Sequence, residues 1–578
     1  MKIRDRFFGF YSRYSVESLI AYGVIAFFSV VMLSVFITSC ESDEKEEESS
    51  YRTIDGYNNN LNRPEMNQAE VGVQLIRKVP PAYDDGISAL ITQNRPNPRL
   101  VSNVVLDQPD NRPIPNSKNA SDFFWLWGQF LSHDISFVTE FRPHEQVHIE
   151  ILVPDPGEKA DPFDPRRTGN ILMPFNRAVF DLETGTSMDN PRQQVNEISG
   201  WLDATNIYSN NAECLSELRA NDGTGILKID DSEENDYKKL LPHADDPEFC
   251  FVTVDDFFLS GDERVNEHIG LTSINTVFVL EHNRLADEIR ERNPDLSGDE
   301  VFNRARHIVA AQIQKITYED FLPLLMGENP LPEYTGYNDQ VDAGVANVWA
   351  VAGFRLGHTL LSTHIRILDE NGNETESLRF RDAFREPEKV VEVGIEPILR
   401  GFASQVCQRI DVFVRDEFRN FLFGVPERTG NPVIGSIDLA TFNIQRGRDH
   451  GVADYNTVRE AYGLPPNENF SDISSDSEVQ ERLRKAYETT ANIDVWVGGL
   501  AEDPKGDSQL GELFHAIMVD QFTRLRDGDR FWYERSLSAE ELNEVRNTTL
   551  ADIIIRSTDI KKGEIQDDVF RVPANLLP

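Results

Sequence analysis

The chain has 578 residues, no internal repeat and no long low-complexity break after about residue 50, so it reads as one large unit rather than a string of small domains. Hydrophobic residues make up 39% of it, with 35 Phe among them, which supplies enough apolar surface for a sizeable core. A formal charge of -41 excludes nucleic acid or an anionic lipid surface as partner of the folded part, because both need clustered Lys and Arg; acidity favours solubility and cations.

Residues 1–18 are polar and carry Lys2, Arg4, Arg6 and Arg13, and Leu19 to Ser39 then runs for 21 residues without a charge. That run is long enough to span a bilayer, and the positive flank before it places the rest of the chain outside the cytoplasm, in a periplasm or at a cell surface. Ile37-Thr38-Ser39-Cys40 resembles a bacterial lipoprotein cleavage box, in which Cys40 is lipidated and becomes the new N-terminus; the alternative is an uncleaved signal anchor. Either outcome tethers the protein to a membrane. The acidic block 41–50 is expected to be a solvated tether ahead of a domain spanning 51–578. With Cys40 lipidated, Cys214, Cys250 and Cys407 remain, which allows at most one intramolecular disulfide and leaves its pairing open.

From Tyr51 to about Ser117 the chain is dense in Asn, Pro and Gly, which predicts irregular structure on the surface, away from the chemistry. Apolar spacing predicts helices over Ser121–Thr139, Leu271–Arg292, Gly298–Phe321 and Val341–Ser362. Strand signals are few; His364–Leu368, turning at Asn371-Gly372, is the best hairpin. The expected fold is one mostly α-helical domain.

Four segments carry polar groups in apolar settings. In Trp127-Gly-Gln-Phe-Leu-Ser-His-Asp134, Gln129 and His133 share one face of an otherwise apolar helix, so both need partners or a cavity. Gly261-Asp-Glu-Arg264-Val-Asn-Glu267-His268 groups a cation with a carboxylate and an imidazole. Asn347 to His358 ends in Arg355-Leu-Gly357-His358 behind an expected stripe of Val341, Val345, Val348, Ala352 and Leu356. The fourth is Phe442-Asn443-Ile-Gln-Arg446-Gly-Arg448-Asp449-His450, where Arg448, Asp449 and His450 read as a structural salt-bridge cluster. Separately, Ser199-Gly-Trp201-Leu-Asp203-Ala-Thr205 sets oxygen donors at every second residue, a weak signal for a hard cation such as calcium.

In their order and content these segments resemble the animal-type haem peroxidase family, and the likeness extends from residues 51–56 through 80–86 and 281–286 to 529–532. The resemblance implies a mostly α-helical peroxidase that reduces hydrogen peroxide at haem b. His133 would be the distal acid–base group, Arg264 the catalytic cation, and Gln129 a holder of distal water or halide. It implies His358 as proximal iron ligand, Asn443 accepting that imidazole's outer N–H, Arg355 at a haem propionate, more weakly Arg446 at the proximal edge of the haem, and Glu267 as the side chain that can esterify a haem methyl. It further implies calcium on Asp134, Ser199, Asp203 and Thr205 with the carbonyl of Trp201. Two departures, Ser132 before the distal His and His268 where a Met bonds haem in the chloride-oxidising member, favour bromide, iodide, thiocyanate or phenolic donors over chloride.

Three competing readings are weaker. A fatty-acid dioxygenase of the same superfamily carries a radical Tyr three residues before the proximal His, and Arg355 stands there. His144-Glu-Gln-Val-His148 fits a zinc-protease pattern, but that chemistry needs a helix, and the alternation through Val147, Ile149 and Ile151 reads as extended chain. A haem-free adhesion module would have no reason to keep every residue named above.

Overall fold

The computed structural model describes residues 51–577 except 141–144, 231–239, 243–249, 251–256 and 423–436. The expected anchor, Cys40 and the acidic tether lie outside the described residues; among those described, no helix is long and apolar enough to cross a membrane. Helices dominate, and the four named strands form two separate two-stranded ribbons.

The first long helix of the core, α1, runs Asp122–Ile135. Ser121 starts it by accepting the Phe123 N–H, and Phe123, Phe124, Trp125, Leu126, Trp127, Phe130, Leu131 and Ile135 are all buried. It stops four residues short of the expected Thr139. Past Ser136 the backbone is extended, and Asn196 and Glu197 take the N–H groups of Phe137 and Thr139 that another helical turn would have used.

α2 (Ile269–Arg292) and α3 (Gly298–Lys315) pack together as a hairpin, and α3 continues through a π-helical stretch, Ile316–Phe321, to the expected end. Ser297 and Glu300 form a capping box at the start of α3. Inside α2 the buried Glu281 carboxylate accepts from Arg284, from Gln312 of α3, and from Arg556 and Ser557 of the C-terminal segment. Burial alone would raise its pKa, but Arg284 and Arg556 hold it below the usual range.

The helix expected over Val341–Ser362 is shorter and tighter. Residues 341–345 are not helical: Ile76 donates to the Val345 carbonyl and accepts from Asn347, which makes 345–347 a bridge partner of the N-terminal region. Val341 and Val345 therefore drop out of the expected stripe. The helical part consists of a π-helical turn, Trp349–Gly353, and a 3₁₀ segment, Phe354–Thr359, ending just past His358. α4 (Leu439–Asp449) packs against this segment, as does α1.

β1 (Gln146–Glu150) pairs antiparallel with β2 (Leu172–Asn176) over a small cluster of Ile149, Ile151, Phe163, Met173 and Phe175. His148 lies within β1, so the extended reading of the zinc-like motif holds; His144 is outside the described residues. β3 (His364–Leu368) and β4 (Glu374–Arg379) form the expected hairpin, with Gly372 at φ +79° in the turn, a backbone conformation that costs glycine nothing.

Residues 51–117 are irregular apart from Pro98–Val104 and short 3₁₀ turns, but the surface placement needs correction. Arg52, Asn59, Asn60, Arg99 and Val101 are buried; Arg52 pairs with Asp529 and stacks over Trp201, and Arg99 binds Asp161 and Asp438. Charge on those arginines concealed their burial. Cys214 and Cys250 form the disulfide, and Cys407 is a buried free thiol.

Candidate active site

Two groups of elements, or walls, carry the candidate residues, and they meet where the His133 helix contacts the Phe354–Thr359 segment. One is built from α1, the 3₁₀ turn Glu263–Asn266 and the start of α2; the other from the Trp349–Thr359 segment and α4. Gln129, Glu267, Arg355 and His358 each keep partial exposure, although desolvation is the main influence on the three that titrate.

On the first wall, His133 is buried, and its Nε2 stands 3.8 Å from Glu267 Oε2. Desolvation, followed by the charge of Arg264 and then His268, holds its pKa well below the usual value, so the imidazole is neutral at pH 7 and can accept a proton. Glu267 is pushed up to about 7 by burial, against the pull of Arg264 and Arg385. Gln129 donates to Glu267 at 2.9 Å, and its carbonyl faces His268 Nε2, also at 2.9 Å.

Arg264 is brought to this wall by contacts the sequence did not announce. Asp262, two residues earlier, takes its Nε and Nη2, and its remaining bonds go to the carbonyls of Ser136 (3.0 Å) and His133 (3.1 Å), with the guanidinium over the Phe137 ring. Four of the five guanidinium N–H donors are thereby engaged. Arg264 closes the C-terminal end of α1, where the last carbonyls lack helical partners. Asp262 and Phe137 were the residues missed; an Asp at i−2 to a buried Arg was the available signal.

On the second wall, His358 Nδ1 is 2.7 Å from Asn443 Nδ2. The expected arrangement is the reverse, with the Asn carbonyl accepting from the ring. That carbonyl is occupied here, because Arg355 Nη1 donates to Asn443 Oδ1 at 3.2 Å. Arg355 has no carboxylate within ion-pair distance among the described residues, and burial lowers its pKa to about 10. Next to His358, a Cβ built on Gly357 would meet nothing within 4 Å, so the backbone is open to a flat ligand there.

Arg446 stands further back. It bonds Asp449 and Glu140, stacks over Phe175 at 4.3 Å, and is almost fully buried. The Arg448, Asp449 and His450 cluster is structural in its contacts: Arg448 pairs with Asp494, Asp449 with Arg177 and Arg446, and His450 with Asn347.

Behind α1, Asp134 lies against residues 203–205 of the loop named as a cation candidate. Asp134 and Asp203 are both buried; desolvation and then repulsion from Asp203 push the Asp134 carboxyl well above its usual range. Ser199 and Thr205 hydroxyls lie 2.9 and 2.7 Å from Asp203, and the Thr205 amide donates to Asp134 at 2.5 Å. Trp201 is buried in the same loop.

A family model described as animal haem peroxidase matches residues 51–570. Peroxinectin A of Dictyostelium discoideum is 33% identical over 558 residues, covering 95% of this chain and 99% of its own. Dual oxidase of Drosophila melanogaster is 34% identical over 539 residues, 89% of this chain, but the match spans only 34% of that much longer protein. The solved structure of peroxidase A from Dictyostelium discoideum superposes with a TM-score of 0.79 at 32% identity, over 90% of this chain and 99% of its own. With a model match over most of its length and a relative matched end to end, the chain belongs to the animal haem peroxidase family.

Proposed function

We propose that this peroxidase uses hydrogen peroxide to oxidise a small halide, pseudohalide or phenolic donor between His133 and His358. The supporting observation is that the helix carrying His133 packs against the segment carrying His358, and that desolvation lowers the pKa of both imidazoles. Family membership implies haem, and the residues present fit it: a partly accessible imidazole, an open backbone at Gly357, and a partly accessible cation, Arg355, without a carboxylate partner among the described residues. In this reading His358 ligates the iron, Asn443 orients it, Arg355 meets a propionate with Arg446 behind it, and Glu267 is the carboxylate for a covalent ester.

When bound, haem supplies an iron that takes two oxidising equivalents from peroxide and passes them to the donor. His133 takes a proton from the entering peroxide and returns it to the departing oxygen, a shuttle its neutral state allows. Arg264 holds a fixed positive charge beside that transfer and, through the His133 carbonyl, fixes the backbone carrying the base. Gln129 orients donor or water through its amide. The oxygen set of Asp134, Ser199, Trp201, Asp203 and Thr205 suits calcium, which would neutralise two buried carboxylates and stiffen α1 next to His133. The N-terminal segment, lipidated at Cys40 or retained as an anchor, would hold the enzyme on the outer side of a membrane.

Residues 51–578, produced with haem and calcium, are expected to show a Soret band that hydrogen peroxide perturbs and that His358→Ala loses. A well-folded protein that binds no haem would refute the assignment.

A further inference from the structure

His268 caps α2: its Nδ1 accepts from the backbone N–H groups of Gly270 (3.2 Å) and Leu271 (3.4 Å). A backbone N–H only donates, so Nδ1 carries the lone pair. Burial lowers the ring's pKa to about 3, so the neutral imidazole has its single proton on Nε2. Nε2 lies 2.9 Å from Gln129, and only the amide oxygen can accept there. The NH2 end of Gln129 is therefore the end presented to Glu267 Oε2, at 2.9 Å. The imidazole cannot swing away, because it is fully buried between Trp125 and Phe380, with ring centroids 5.5 and 5.3 Å away.

Glu267 is faced by Arg264 and Arg385, which attract its charge, by Asp262, which repels it, and by His133 at 3.8 Å. Among the described residues, Gln129 makes the one hydrogen bond to its carboxylate. We propose that His268 is a positioning residue for Glu267: by fixing the Gln129 amide it keeps a donor on one carboxylate oxygen and leaves the other free, in the arrangement required to form the haem ester. This rests on the reading of Glu267 given above. Ester formation joins a Glu267 oxygen to a haem methyl carbon with loss of one C–H hydrogen. The two electrons released, with that proton and one from solvent, convert one hydrogen peroxide to two waters.

His268→Asn separates the two duties of this residue, since Asn is a strong helix N-cap but its short amide cannot cap α2 and also reach Gln129. Haem-loaded protein kept free of peroxide is titrated by infrared spectroscopy, with the Glu267 carboxyl band identified through Glu267→Gln. Both His268→Asn and Gln129→Leu should raise the Glu267 titration by roughly half a unit to one unit, the worth of one lost hydrogen bond. The double variant should move no further than Gln129→Leu, because His268 acts through that amide. Hydrogen peroxide is then added and covalently bound haem is measured by mass spectrometry of the denatured protein, with less expected in both single variants than in wild type. An unshifted titration in His268→Asn with unchanged thermal stability, or additive shifts in the double variant, would overturn the relay. A shifted titration with no covalent haem in wild type would leave the relay standing and remove the ester role of Glu267.

Discussion

Arg355 Nη1 donates to Asn443 Oδ1 at 3.2 Å, and this bond decides which end of Asn443 meets His358. With no carboxylate within ion-pair distance among the described residues, the guanidinium bonds the carbonyls of Ala350 and Asn443 instead. An anion at Arg355 would release the Asn443 carbonyl, and Asn443 could then accept the His358 Nδ1 proton and leave Nε2 free for a metal.

Replacing the propionates of the haem with methyl esters is therefore expected to weaken binding by more than one ordinary hydrogen bond. A charge-assisted bond is worth roughly 1.5–3 kcal/mol, or about tenfold to a hundredfold in affinity. Arg355→Leu should bind haem and its dimethyl ester equally, in competition titrations against apomyoglobin. A persistent preference for the acid in that variant would move the propionate contact elsewhere.

Asn443→Ala removes the partner that orients His358. Loss of such an outer partner costs about 10–100-fold in metal affinity or activity, so faster haem loss is expected, measured by the same competition. Asn443→Asp should retain haem and make the iron harder to reduce, seen as a lower potential in a spectroelectrochemical titration.

Asp122 is pushed up to about 7 by burial, its hydrogen bonds from Ser362 and Trp125 only partly offsetting this. A carboxyl whose folded pKa is raised binds its proton more tightly in the folded state. Its contribution is complete below about pH 4 and is lost as pH climbs through about 7. Asp122→Asn should therefore unfold in urea with up to roughly 4 kcal/mol more stability than wild type at pH 8, and with no advantage at pH 4. Equal stabilities at both pH values would show that Asp122 stays charged.

Chelation is the test of the loop behind α1. A cation held at a hundred times its dissociation constant stabilises by about 2.7 kcal/mol, so EDTA should lower the melting point and calcium restore it. Asp134→Asn is expected to abolish the calcium response, because it removes one of the two buried carboxylates that face each other.

Much of this was legible in the residues. Period-3.6 spacing located α2 and α3, and Asn371-Gly372 located the β3–β4 turn, because both signals depend on local geometry alone. The end of α1 and the start of the His358 helix were misplaced for one shared reason: distant segments, Asn196–Glu197 and Ile76, claim backbone groups that a local reading assigns to the helix. The orientation of Asn443 was hidden likewise, since it depends on Arg355, 88 positions away. The buried arginines of the N-terminal region look like surface residues until their partners, Asp529 for Arg52 and Asp438 for Arg99, are in place.

The carboxylate of Glu281, which joins α2 and α3 to Arg556 and Ser557, imposes an order on biosynthesis. The helix carrying His133 has a similar dependence, since Ser121 donates to the carbonyls of Val569 and Phe570 while Val572 donates back to Asn119. A nascent chain lacking its last twenty-odd residues would leave the buried Glu281 with Arg284 and Gln312 but without Arg556 and Ser557. The distal wall would also lack its anchor. Synthesis of residues 556–572 is then the event that completes the support of both α2 and the helix carrying His133.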